Sequence, residues 1–236
     1  MEVSTQNNDP MKIAVYTFIS GTYDNLKSFD KKFSEEADFY YFSDKPQDAP
    51  EGSGKYKTVI APIMKGYERY TSRYYKMFPN LFLPDYDYTI WMDGSTSLEV
   101  SPKALIEKYL NACDIAAFKY PDEDCIYIHA DKCVAVGRYS ASVIVPHMEF
   151  YRQDGFPEHA GLCEIRVILR KNTNQIKTFN ELWFDTFNKW LTCDQLCFNY
   201  CIWKLGMKYN TIEWGGPEFK TGGHNFYNPP NYIKQL

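Results

Sequence analysis

The sharpest chemical signal in this sequence is an apolar run that ends in an acid, a glycine and a hydroxyl. In Tyr86-Asp87-Tyr88-Thr89-Ile90-Trp91-Met92-Asp93-Gly94-Ser95, β-branched and aromatic residues lead straight into Asp93. A carboxylate at the carboxyl end of a strand can hold a hard divalent cation that bridges phosphate oxygens. Gly94 lets a ligand approach the backbone closely. Asp-Gly is also a turn dipeptide, so a plain turn accounts for the same residues. Upstream, Arg73 and Lys76 lie three apart in Thr71-Ser72-Arg73-Tyr74-Tyr75-Lys76 and share a helical face. Two cations aimed at one point make a diphosphate clamp, with Arg able to bind as a fork. A solvated basic face has the same spacing.

Thr192-Cys193-Asp194-Gln195 opens a late helical segment. Thr192 and Gln195 have the spacing of a capping box, and Asp194 in the first turn complements the helix dipole. That structural account is sufficient, and spacing alone assigns Asp194 no chemistry. The histidines are 129, 147, 159 and 224, and none pairs at the i, i+4 spacing of a zinc protease helix. His224 follows Gly222-Gly223 in a late loop where a ligand can approach, although a lone histidine is more often structural or exposed. The sequence has no Gly-x-Ser-x-Gly elbow, Walker loop or Gly-x-Gly-x-x-Gly, which leaves serine hydrolases, P-loop enzymes and dinucleotide enzymes without support.

Strands and helices must position these groups. Lys12–Ile19, Asp38–Phe42, Tyr88–Met92, Ile115–Phe118, Ser142–Val145 and Arg166–Leu169 read as strands. Tyr67–Phe78, a segment opened by Ser101-Pro102, Phe179–Trp190 and Cys193–Leu205 read as helices, the last stopped by Gly206. This alternation predicts an α/β fold with a mainly parallel sheet covered on both faces. Ligands of such sheets bind beyond the carboxyl ends of the strands, so the polar residues just after strands matter most.

Length and composition set the frame. At 236 residues the chain is long enough for one domain with a sizeable core. Residues 1–11 are expected to be a flexible polar lead and residues 12–236 the folded domain. The net charge of −4 and a pI near 5.6 argue against a nucleic-acid or anionic-membrane binder. Seven cysteines, no secretory core at the start and no run long enough to span a bilayer predict free thiols in a reducing cytoplasm. Cys193, Cys197 and Cys201 repeat every four residues and so share one helix face, as a buried small-residue face or as a cluster. Aromatic residues reach 17%. Trp91 and Trp214 could stack on a base or sugar, or pack in the core.

Taken in order, KIAVYTFISGTYDNL, YYFSDKP, RYYKMFPNLFLPDYDYTIWMDGS, CIYIHA, GLCEIRVILRKN, FNELWFDTFNKW and CDQLCFNYCIWKLG resemble the glycosyltransferase-like domain of plant turgor-regulation and mucilage proteins. Bacterial capsule-synthesis proteins and the amino-terminal domain of a chlorella virus glycosyltransferase share the pattern, which covers roughly residues 12–226. The wider likeness is to GT-A glycosyltransferases of the glycogenin type, a single α/β domain whose mixed, mainly parallel sheet is flanked by helices. Their strand followed by Asp-x-Asp becomes Asp93-Gly94-Ser95 here, so Ser95 stands where the second acid belongs. Their Asp-Gln before a helix matches Asp194-Gln195, and their late metal-binding histidine matches His224. Their cations before the acidic motif match Arg73 and Lys76. The resemblance implies that Tyr16, Thr17 and Asp44 sit against the nucleoside. Where relatives carry Glu near positions 128 and 129, this chain has Ile128 and His129.

The implied reaction is sugar transfer from a nucleotide diphosphate sugar, a UDP-sugar, to a glycan or other hydroxyl acceptor in surface or capsular polysaccharide synthesis. Arg73, Lys76, Gly94 and a Mn²⁺ or Mg²⁺ ion held by Asp93, Ser95 and His224 would receive the diphosphate. Asp194, with Gln195 beside it and Glu164 as the second choice, would supply a carboxylate near the anomeric carbon. The Asp-Gln motif implies retention of anomeric configuration. Two other readings stand beside this one: a non-catalytic glycan- or nucleotide-binding module, motivated by Ser95, and a ceramidase-like hydrolase, which the lack of a histidine metal cluster and of a lipid-binding stretch disfavours.

Overall fold

The computed structural model describes residues 11–63 and 67–222. The elements run β1 (Ile13–Phe18), β2 (Asp38–Ser43), β3 (Lys57–Ile60), α1 (Glu68–Met77), α2 (Pro79–Phe82), β4 (Tyr88–Met92), β5 (Thr96–Leu98), α3 (Pro102–Tyr109) and β6 (Ile115–Lys119). They continue with α4 (Ile126–Ala135), α5 (Ala141–Gln153), β7 (Cys163–Lys171), α6 (Asn174–Trp190), α7 (Asp194–Lys204), β8 (Asn210–Ile212) and β9 (Phe219–Thr221).

Seven strands form one sheet in the order β3-β2-β1-β4-β7-β6-β8. All six residues of β1 are buried, as expected of a strand covered on both faces. Alternation sends Ala14, Tyr16, Trp91 and Ile168 into a core shared with α1 and α4 to α7. Ile13, Val15, Ile90 and Leu169 enter a second core closed by α3. Each fully buried large side chain in these layers contributes about 1.5–3 kcal/mol.

The pairs β3/β2, β2/β1, β1/β4 and β6/β8 are parallel, whereas β7 is antiparallel to both β4 and β6. The reversal has a consequence for the site. The amino end of an antiparallel strand lies at its neighbours' carboxyl ends, so Glu164, at the start of β7, stands at the edge where β4 delivers Asp93. A register shift between Ala117 and Phe118 sets Phe118 opposite Glu164.

The structure corrects the sequence reading at Ser142–Val145, which is the first half of α5 rather than a strand. Ser140 caps that helix by accepting from the Ser142 amide, and the buried residues Ile144, His147, Met148 and Tyr151 recur at helical spacing. Pro146 inside the helix and the β-branched run Val143, Ile144 and Val145 just before it disguise the pattern. Helix α6 begins at Asn174, five residues before its predicted start, because Thr173 accepts from the Ile176 amide. CIYIHA also lies at a helix, α4. Among the described residues no helix is long and apolar enough to cross a membrane.

Candidate active site

Helix α1 descends onto the sheet with its cations at positions 69, 73 and 76, spacing that aligns them on one face. Asp194 opens α7 beneath them. Its Oδ2 lies 3.1 Å from Lys76 Nζ and 3.0 Å from Arg73 Nε, and its carbonyl accepts from Trp183 Nε1 at 2.8 Å. Lys76 and Asp194 are each 2% exposed. Burial alone would raise the Asp194 carboxyl, but the charges of Arg73, Lys76 and Arg69 outweigh it and hold the group well below the usual carboxylate range. Asp194 is therefore a fixed anion, unsuited to carrying a proton.

The predicted capping box does not form. The cap residue of α7 is Cys193, which makes no side-chain cap bond. The Thr192 hydroxyl pairs with His147 Nδ1 at 3.2 Å instead. Gln195 points away from the helix amides and donates to the Cys163 carbonyl at 3.0 Å, tying α7 to β7.

Asp93 follows β4 and is held from three directions. Its amide donates to the Arg166 carbonyl at 2.8 Å, and its Oδ1 accepts from Trp91 Nε1 at 2.7 Å and lies 3.5 Å from Lys76 Nζ. The Thr96 amide closes a turn onto the Asp93 carbonyl, so the turn and the acid site are the same feature. A Cβ on Gly94 would meet Ile19 Cγ1 at 2.9 Å and Asp24 Cβ at 3.1 Å. Beyond it, the Gly222 amide donates to the Ser95 carbonyl. Glu164 is 7% exposed, with Arg166 Nε 3.5 Å from its Oε1. Burial pushes its carboxyl up to about 7; Arg166, Lys76 and Arg138 pull the other way, and the Asp93 charge adds to the rise.

Arg73, Lys76, Asp93, Gly94, Glu164, Asp194 and Gln195 thus gather at the carboxyl edge of the sheet. Tyr16 lies underneath them, 1% exposed, with its hydroxyl on the Lys76 carbonyl. Trp91 is likewise 1% exposed and sits 5.2 Å edge-on to Tyr16, so it is core rather than a stacking platform. Thr17, the penultimate residue of β1, has a buried Oγ1 with no hydrogen-bond partner among the described residues. Asp44, exposed after β2, accepts from the Gly21 amide at 2.7 Å. Trp214 is half-buried with the Arg166 guanidinium over its ring. His129 is buried in α4 against Glu123. Cys193, Cys197 and Cys201 are buried free thiols. His224 lies outside the described residues.

Sequence reasoning missed Arg69, which donates to the Thr192 carbonyl at 3.1 Å and adds a third cation to the Asp194 surroundings. Its spacing of four from Arg73 and seven from Lys76 was the available signal. Trp183 and Arg170 carry no such signal, because their roles depend on contacts across the fold.

Among the described residues, Asp93 and Ser95 are the groups placed to hold a divalent ion. Among the described residues no three acid, histidine or cysteine groups come together to hold a metal. Asp93 keeps one oxygen clear of the Trp91 and Lys76 contacts, and Ser95 adds a hydroxyl two residues on. One carboxylate with substrate phosphates and water is a donor set that suits Mg²⁺-like binding.

The TOD1/MUCI70 glycosyltransferase-like domain family matches residues 5–214. The probable hexosyltransferase MUCI70 of Arabidopsis thaliana is 24% identical over 225 residues, covering 84% of this chain and 38% of that protein. The chain therefore spans well under half the length of this curated relative. Among solved structures, mouse xyloside xylosyltransferase 1 in its apo form superposes with a TM-score of 0.53 at 11% identity, covering 93% of this chain and 100% of that one. The fold is the GT-A α/β fold. With a family match running from before β1 to the turn after β8, the chain belongs to the TOD1/MUCI70 glycosyltransferase-like domain family.

Proposed function

We propose that this chain is a glycosyltransferase that moves a sugar from a UDP-sugar to a hydroxyl of a glycan acceptor, with retention, in the cytoplasmic synthesis of a surface polysaccharide. The observation that carries the reading is the convergence of Arg73 and Lys76 on one point beside Asp93 at the carboxyl edge of the sheet. Breaking a glycosidic phosphate bond leaves negative charge on the departing diphosphate, and fixed cations in a partly dehydrated site stabilise that charge without reorganising. Lys76 is almost wholly buried and Arg73 about one-fifth exposed, so the guanidinium is the group that reaches solvent and meets the diphosphate first.

Asp194 keeps both cations oriented and, as a permanent anion, offers negative charge to an oxocarbenium-like centre. Gln195 fixes the start of α7 under it. Glu164, partly protonated near neutrality, is the group suited to exchange a proton with the acceptor hydroxyl. Thr17 and Asp44 are assigned to the nucleoside, with Tyr16 supporting the floor. A Mn²⁺ or Mg²⁺ ion bound by Asp93, Ser95 and His224 would supply further charge neutralisation at the diphosphate. Ser95, standing where the GT-A pattern carries its second acid, motivates a second reading, a nucleotide-binding module without turnover.

Calorimetry of UDP with and without Mn²⁺, followed by a transfer assay over a panel of UDP-sugars, tests the proposal. Metal-supported UDP binding that Asp93→Ala abolishes, together with sugar release, is expected. Binding without any release favours the module, and no binding of any nucleoside diphosphate refutes both.

A further inference from the structure

Arg170 is a fully buried cation next to the carboxyl end of β7, paired in register with Thr89 and Ile115. Its hydrogen-bond partners among the described residues are all neutral oxygens. NH2 donates to the Lys76 carbonyl at 2.7 Å and to the Tyr16 hydroxyl at 2.5 Å, and NH1 donates to Asn180 Oδ1 at 3.1 Å and, more distantly, to the Met77 carbonyl at 3.5 Å. The Tyr16 hydroxyl donates in turn to the Lys76 carbonyl at 3.0 Å. A guanidinium buried without a carboxylate is costly, and an aliphatic residue would fill a central strand more cheaply.

The arrangement has a location that explains the cost. The last carbonyls of a helix lack intrahelical partners and carry the negative end of its dipole. At α1 the Phe78 amide takes only the Tyr74 carbonyl. The carbonyls of Lys76 and Met77 are taken instead by side chains from β1 and β7, which lie 60 and about 94 positions away in sequence. The end of α1 is thus capped by the sheet. The capped residue is the one whose side chain reaches Asp93 and Asp194.

We propose that Arg170, with Tyr16, is a positioning residue that clamps the carboxyl end of α1 to the sheet and thereby fixes where the Lys76 ammonium sits. The clamp holds Lys76 from its backbone while Asp194 holds it from its side chain, leaving little freedom for the ammonium. Burial keeps the Tyr16 phenol up at about 12, so it stays a donor across the working range. Lysine in place of Arg170 would keep the charge but lose the two-pronged donor geometry that reaches two carbonyls and a phenol at once. The inference rests on the proposed function only for its catalytic meaning; the clamp itself is a statement about Lys76.

The experiment reads Lys76 directly, in the intact chain and without nucleotide. In ¹H–¹⁵N spectra of lysine ammonium groups, Lys76 is expected to give a protected signal, assigned by its loss in Lys76→Met. In Arg170→Lys that signal should broaden or vanish while that of Lys204, paired with Asp154 at 2.7 Å, persists. Tyr16→Phe should weaken it less, and this milder variant decides the matter if Arg170→Lys does not fold. An unchanged Lys76 signal in folded Arg170→Lys or Tyr16→Phe overturns the proposal. A parallel titration with UDP and Mn²⁺ separates the two claims: a roughly tenfold weaker Kd in Arg170→Lys extends the clamp to binding, whereas wild type that binds no UDP sinks the proposed function and leaves the ammonium result to decide the clamp.

Discussion

Lys76 Nζ lies 3.1 Å from Asp194 Oδ2 although the two residues are 118 positions apart, and both side chains are almost wholly shielded from water. A pair so placed is poor evidence for stability, since taking two charges out of water costs about as much as their attraction returns. Its value is directional. It points an ammonium at Asp93 and leaves Arg73 facing outward from the same carboxylate.

The pair predicts a specific pattern of losses. Asp194→Asn leaves the buried Lys76 ammonium with Asp93, at 3.5 Å, as its remaining carboxylate partner and should cost about 3–5 kcal/mol, with loss of UDP binding. Replacing both partners, Lys76→Met with Asp194→Leu, should recover most of that stability in urea denaturation, because Arg73 can still reach solvent. UDP affinity should stay lost in the double variant. Recovery of binding together with stability would show that the pair is structural packing only.

Gly94 makes a second prediction through space rather than charge. A methyl at this position meets Ile19 Cγ1 at 2.9 Å and Asp24 Cβ at 3.1 Å, so the loop after β1 must give way. Gly94→Ala should cost about 1–3 kcal/mol and weaken UDP binding, read as a lower Tm and a larger Kd. An alanine variant with unchanged Tm would mean that the β1 loop moves freely away from Asp93.

Much of this architecture was legible in the residues. β4 is where its run of apolar, β-branched and aromatic residues places it, and Asp93 follows it. α3 starts at the Ser101-Pro102 signal, with Ser101 accepting from the Ala104 amide. Other parts were not. β3 is short and mostly exposed, so it lacks the apolar run that marks a buried strand. The reversal of β7 is invisible in its composition, because a strand buried on both faces reads the same in either direction. Arg69, Arg73 and Lys76 could be set on one face from spacing, but that Asp194 meets them is settled by the packing of α6 and α7. Trp91 reads as a ligand platform or as core with equal ease until its burial is known.

His147 and Glu164 predict opposite slopes of stability with pH. His147 is fully buried, with Nδ1 on the Thr192 hydroxyl and its ring stacked on Trp190 at 4.8 Å. Burial, with Lys189 adding, holds its pKa down at about 3. The fold therefore keeps it neutral while the unfolded chain takes a proton near the ordinary value of 6.5. Its contribution is fully present above that value and is lost as pH falls toward 3, by at most about 1.4 kcal/mol per pH unit. His129, also held down chiefly by burial, adds in the same sense. Urea midpoints between pH 6.5 and 4.5 should fall less steeply in His147→Gln than in wild type; equal slopes would show that the imidazole is charged in the fold.

Glu164 works against this trend in the same window. Burial raises its carboxyl from the ordinary 4.5 to about 7, so the folded protein holds a proton that the unfolded chain has released. Its contribution is fully present below 4.5 and is lost as pH rises through 7. In wild type Glu164 partly offsets the two histidines, so the fall between pH 6.5 and 4.5 is shallower than the histidines alone would give. Glu164→Gln removes the rising limb, so its stability should fall more steeply than that of wild type as pH drops, and above pH 7 it should match or exceed wild type. If the buried carboxyl also exchanges a proton with the acceptor, the same variant should lose most of its transfer rate while UDP Kd changes little. A Glu164→Gln protein with the wild-type pH dependence would show that Glu164 is ionised throughout, held so by Arg166, and its assignment to proton exchange would fall with it.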